Sequence, residues 1–219
     1  MINRVDLKND AKESLKDHWA ESIKVLIILL IISIGTTILF KYILHFGIYD
    51  YEIGKIGDEK IVTTINYISP IIDSLLTFGF LSFFLKISRN EEVTCSELFS
   101  KMHMIIKFIV MTILTMIIVT IGLFCLIIPG IMLAIGLSQT SLILLDNPNM
   151  NIIDAMILSW KMMNGYKMDY FMLIISFLGW IFILIFTLGI GYFWLIPYMN
   201  VTMCNFYNRL KEEYKEKAE

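Results

Sequence analysis

Apolar runs long enough to cross a bilayer recur almost to the end of this chain, and they leave few folds open to it. A stretch of about 18 or more residues with few charges reads as a membrane span. Inside hydrocarbon every backbone N–H and C=O must be paired within the protein, so only helices or a closed barrel can cross. The runs are too long for barrel strands and lack their polar alternation. An all-α membrane bundle is expected, and a hydrophobic content of 57% fits it.

Six spans can be drawn. The first covers about Val25–Leu44, and a polar segment, Gly47–Lys60, follows it. The second begins between Ile65 and Pro70 and ends at Leu85. The third is about Phe108–Ile128, the fourth Pro129–Leu145, the fifth Tyr170–Leu188 and the sixth Tyr192–Tyr207. Basic residues orient them. With the N-terminus in the cytoplasm, fifteen of the eighteen Lys and Arg residues fall inside and only Lys41, Lys55 and Lys60 outside, as the positive-inside rule requires. Both termini are then cytoplasmic. Trp19, Trp160, Tyr166, Tyr170 and Tyr207 fall at inner ends, and Tyr192, Phe193, Trp194 and Tyr198 at outer ends, where aromatic belts form.

A charged segment with helical periodicity precedes each pair of spans. Leu7, Ala11, Leu15, His18, Trp19 and Ser22 share a face in the first; Val93, Leu98, Phe99 and Met102 mark the second; Ile152, Ile153, Met156, Ile157, Trp160 and Met163 mark the third, with Asn149 or Asn151 as its cap. Such helices lie in the headgroup plane or pack beneath a bundle. Thr120-Ile121-Gly122 precedes Pro129, and Thr187-Leu188-Gly189 precedes Pro197. With Pro70, these prolines mark one point in each unit, in the first turn where a missing N–H costs nothing. The expected architecture is one membrane domain over residues 1–219. Its three hairpin repeats are about 1–90, 91–148 and 149–210, with a charged tail at 211–219 and three cytoplasmic amphipathic helices.

Asp73 is the only acid inside a span. An intramembrane carboxylate suggests a proton or cation site; a first-turn position after Pro70 would instead set it near the outer surface, favoured by the helix dipole. Lys41 and His45 are its available partners. Gln139, Asn200 and Asn205 are the other strong hydrogen-bonding groups at depth, all on even-numbered spans. They line a polar pathway or bond helix to helix. His18, His45 and His103 have no metal spacing, and no nucleophile elbow or phosphate loop occurs. Cys95, Cys125 and Cys204 read as small core residues. A near-neutral charge of −2 gives no footprint for nucleic acid.

Several segments, in order, carry a likeness. They are Glu13-Ser14-Leu15-Lys16 with Trp19, Arg89-Asn90-Glu91-Glu92, Glu97-Leu98-Phe99-Ser100, Ile127-Ile128-Pro129-Gly130-Ile131 and Asp146-Asn147-Pro148. Met163-Asn164-Gly165-Tyr166-Lys167, Leu188-Gly189-Ile190-Gly191, Trp194-Leu195-Ile196-Pro197-Tyr198 and Phe206-Tyr207 follow. Together they resemble a bacterial integral-membrane family catalogued as a domain of unknown function, number 975. Asn164 and Tyr166 depart from the Lys and His expected there, and Cys204-Asn205 from a small residue. The resemblance implies a six-span inner-membrane protein and brings no activity, cofactor or catalytic residue. The expected function is non-enzymatic, that of an organising or protective membrane component. Its partners would be the lipid bilayer and a membrane protein or second copy. The alternative is a small transporter or channel.

Overall fold

The computed structural model describes residues 2–47 and 76–217. Among them every regular element is helical. In chain order these are α1 (Arg4–Leu15), α2 (Trp19–Gly47), α3 (Leu76–Ile87), α4 (Glu97–Ser100), α5 (Ile105–Cys125) and α6 (Ile127–Leu137). Then come α7 (Thr140–Asp146), α8 (Ile152–Met162), α9 (Lys167–Ile175), α10 (Leu178–Phe186) and α11 (Tyr192–Glu216). Three helices are long and apolar enough to cross a membrane: Trp19–Leu39, Glu97–Cys125 and Ile127–Asp146. Asp73, Pro70 and the segment after α2 lie outside the described residues, as do the side chains of Lys41 and His45.

The α5–α6 hairpin turns on one residue. Leu126 is extended, with φ −163° and ψ 145°, and Pro129 sits in the first turn of α6 as expected. The two helices meet at glycines. A Cβ on Gly130 would lie 2.7 Å from the backbone N of Leu123, and one on Gly122 would lie 3.1 Å from the Cα of Gly130. The α10–α11 corner differs. Leu188 and Gly189 are left-handed (φ 51° and 86°), and Gly191 N–H donates to the Thr187 hydroxyl at 3.1 Å. This corrects the parallel between the two Thr-x-Gly motifs. Gly122 lies inside a helix–helix contact, whereas Gly189 is the turn itself. Pro197 likewise falls inside α11, beyond the first turn.

Two apolar runs are interrupted. Ser138 separates α6 from α7, and Ser176 separates α9 from α10. Each hydroxyl donates to a carbonyl three residues back, Ile135 at 2.7 Å and Leu173 at 2.5 Å. Such local bonds compete with the helical ladder.

α1 is not free on a surface. Leu7, Ala11, Leu15 and Ser14 are buried against α11. Its Arg4 guanidinium donates to Met172 O at 3.5 Å and its Lys8 ammonium to Ser176 O at 3.3 Å. These are carbonyls of the last turn of α9, where cations are favoured by the dipole. Asn3 caps α1 by accepting from Val5 N–H at 3.0 Å. The other two amphipathic segments depart from expectation. The second holds only α4 and a 3₁₀ turn, Met102–Met104, with Leu98 buried but Phe99 and Met102 exposed. In α8 the apolar face divides: Met156 and Met162 are buried, while Ile153, Ile157 and Trp160 are exposed. Asn151 occupies the cap position of α8, and its side chain makes no capping bond.

Burial is uneven along the helices. Phe78, Phe83, Phe84, Leu144, Met163, Phe206, Tyr207 and Leu210 belong to one packed core with α1. In α5, Phe108, Met111 and Gly122 are buried, while Ile113, Met116, Ile121 and Phe124 are exposed, Phe124 at 89%. Cys125 is exposed as well, so of the three cysteines only Cys204 is fully buried.

Candidate functional site

The densest polar cluster joins the C-terminal ends of α3 and α7 to α11. Arg89 is placed by the way α3 stops. Asn90 is left-handed (φ 55°), its N–H donates to Ile87 O at 2.9 Å and Glu91 N–H to Lys86 O at 3.1 Å. This paired closure satisfies the last carbonyls of a helix, and Asn tolerates the left-handed position. Arg89, the residue before it, projects toward Asp146, the last residue of α7.

Arg89 grips Asp146 with two parallel hydrogen bonds, Nη1 to Oδ1 at 2.8 Å and Nη2 to Oδ2 at 2.9 Å. The Tyr207 hydroxyl donates to Oδ2 at 2.9 Å, and the Lys211 ammonium at 2.5 Å. The Asp146 side chain is 7% exposed. Bidentate, charge-assisted bonds of this kind are the strong ones. They also place two cations where helices α3 and α7 present their negative ends. Arg89 further donates to Asn208 Oδ1 at 3.1 Å, and Asn208 Nδ2 donates to the Ser88 hydroxyl at 3.0 Å. Hydrogen bonding to Asp146 holds the guanidinium above its already high range, so it stays charged.

A polar cavity of about 590 Å³ opens beside this cluster. Ser88, Arg89, Asn205, Asn208, Arg209, Lys211 and Lys215 line it, with Asp10 and Glu212 as its acids. Arg209 pairs with Asp10 of α1 at 2.5 Å, so α1 forms one wall.

The residues singled out from sequence fall in separate places. Gln139 is buried at the α6–α7 break, where Nε2 donates to the Ser138 hydroxyl at 2.8 Å and Oε1 accepts no bond. Asn200 donates to Ile196 O of its own helix at 2.8 Å. Asn205 lines the polar cavity and donates to Leu7 O at 3.5 Å. No hydrogen bond joins any two of the three. Asp73, Lys41 and His45 cannot be set against them, lying outside the described residues or side chains. The Arg89–Asp146–Tyr207 cluster is what the sequence reading missed. All three stand in the segments that carried the family likeness, which was the available signal. Among the described residues no group of three His, Cys, Asp or Glu side chains is placed to hold a metal.

The aromatic belts also depart from expectation. Trp19, read as an inner-end residue, shares an apolar cavity with Trp194 and Tyr198, read as outer-end residues. α1, packed on α11, brings the start of α2 against the first turns of that helix.

No curated protein and no solved structure matches the chain. A family model described as "Protein of unknown function (DUF975)" matches residues 1–135 and, overlapping them, 115–214. With that coverage, the chain that carries the Arg89–Asp146–Tyr207 cluster belongs to this family.

Proposed function

We propose that this chain is a six-span protein of the cytoplasmic membrane, built as three hairpins with both termini in the cytoplasm. In this reading it acts without catalysis, as a component that organises or protects other membrane constituents. The observation that carries the reading is the division between polar side chains and free apolar surface. The best-bonded charged groups, Arg89, Asp146 and Lys211, tie helix ends to one another. Meanwhile α5 keeps Ile113, Met116, Ile121 and Phe124 exposed. Those faces meet lipid, a membrane-protein partner or a second copy; no nucleic acid, metal or cofactor enters.

Two glycines support the repeat. Gly79 precedes Arg89 by about ten residues, and Gly136 precedes Asp146 by about ten. A Cβ on Gly79 would meet Leu98 O of α4 at 2.0 Å, and one on Gly136 would meet Trp160 of α8 at 2.4 Å. The second and fourth spans are thus both approached, at the same distance from the inner end, by the charged segment that follows them.

Cross-linking in native membranes, then affinity purification and mass spectrometry, tests the function. A stoichiometric membrane-protein partner is the expected result; a chain that purifies alone, with no lipid preference, removes the support. The transporter reading is kept because Asn205 lines the polar cavity. It requires Asn205→Ala or Asp73→Asn to change flux in liposomes while thermal stability stays unchanged.

A further inference from the structure

Trp19, Trp180 and Trp194, three of the chain's four tryptophans, wall a cavity of about 220 Å³ together with Leu184, Leu195 and Tyr198. The aromatic wall is continuous: Trp180 and Tyr198 stand edge to face at 5.8 Å, and Phe177 backs Tyr198 at 5.7 Å. Drug-sized ligands need ~300–1,000 Å³, so this slot suits a single alkyl chain segment. Aromatic side chains with a polar edge are the ones that hold the boundary between lipid tails and headgroups.

One charged residue stands in the wall. Lys12 of α1 lines the cavity, its ammonium 5.9 Å from the centre of the Tyr198 ring, and it makes no ion pair among the described residues. Arg4, Lys8 and Lys12 follow one another at intervals of four, so they stripe one face of α1. The crowding is felt: burial, then the positive charges of Arg4 and Lys12, push the Lys8 ammonium down from its ordinary range. No acid lines the cavity. An aromatic box alone would favour a quaternary ammonium, but Lys12 lines this apolar slot only through its alkyl stem and holds its ammonium at the rim, where a cationic head would be repelled. A free phosphate would find one cation and otherwise only apolar surface. The occupant that satisfies both parts is an amphiphile with an alkyl chain and an anionic head.

We propose that this cavity seats an acyl chain of an acidic phospholipid whose phosphate pairs with Lys12. The proposal rests on the chain lying in a bilayer and adds to it a specific headgroup. The test uses the full chain with Trp160→Phe, so that every remaining tryptophan reports on the cavity. It is reconstituted in phosphatidylcholine vesicles carrying equal fractions of bromine-labelled phosphatidylglycerol or bromine-labelled phosphatidylcholine. A phosphate–lysine contact at a membrane surface is worth ~1 kcal/mol, or about fivefold in association. Phosphatidylglycerol should therefore quench with about fivefold greater association. Lys12→Gln should bring the ratio to about one, and Lys16→Gln, at the exposed residue that ends α1 and outside the cavity, should leave it unchanged. Trp194→Leu should weaken quenching by phosphatidylglycerol while helix content stays constant. Equal quenching by both lipids, a preference that survives Lys12→Gln, or stronger quenching by phosphatidylcholine overturns the site. Failure of either lipid to quench, because the chain does not enter vesicles, overturns the membrane reading together with it.

Discussion

Asp146 is the residue on which most of the polar order at one end of the bundle depends. Its two oxygens receive donors from Arg89, Tyr207 and Lys211, drawn from two other elements. Removing one partner from such a network costs more than the pair contributes, because the remaining groups stay desolvated. Arg89 and Lys211 keep about a third of their side-chain surface exposed, which tempers the loss. Asp146→Asn should lower stability by about 1–3 kcal/mol, read as an earlier thermal transition in detergent. Arg209→Gln breaks the Asp10 pair, both of whose members are more than a third exposed; it should cost about 1 kcal/mol or less. Equal effects of the two substitutions would contradict the central place given to Asp146. This cluster was only half legible beforehand. Its members stand 57 and 61 residues apart in sequence, and attention fell on Asp73 because that acid lies inside an apolar run. An acid at the end of a run looks like ordinary punctuation until the fold supplies the arginine opposite it.

At the scale of elements, the apolar runs fall on helices among the described residues, and the corner at Leu126 lies within a few residues of the expected boundary. Apolar periodicity could not reveal the breaks at Ser138 and Ser176, where a single hydroxyl bonds back to the helix and no proline stands. Nor could it reveal that α1 packs against α11, since a buried amphipathic face and a lipid-facing one have the same sequence pattern. The burial of Leu15 at 0% exposure decides that point. Leu15→Ala should destabilise by ~2–5 kcal/mol if the cavity it leaves stays open; a loss below about 1 kcal/mol would mean that α1 lies free on the membrane surface. Glycine positions separate tight contacts from open ones. Gly136→Ala places a methyl 2.4 Å from Trp160 and should cost about 1–3 kcal/mol through overpacking. Gly35→Ala meets nothing within 4 Å and should be neutral or stabilising by up to ~1 kcal/mol, since alanine is the better helix former. The ratio of their unfolding midpoints checks both together, and a reversed order contradicts the α6–α8 contact.

The whole molecule combines a packed polar-sealed core with long apolar helices that leave most of their surface uncovered. α2 and the α4–α5 run bury little of their apolar windows, at 17% each, while the α6–α7 run buries 50%. A water-soluble protein of this size does not expose contiguous apolar helices of such length; a bilayer covers them without protein contact. In the proposed six-span reading, the charge asymmetry assigns the sides. Single cysteines in a background free of Cys95, Cys125 and Cys204 test the topology most directly, by labelling with a membrane-impermeant maleimide from each side of the membrane. The account predicts that a cysteine at Asp58 labels from outside, and those at Lys161 and Glu212 from the cytoplasmic side only. Labelling of Lys161→Cys from outside, or of Asp58→Cys from the cytoplasm, would contradict six spans in three hairpins.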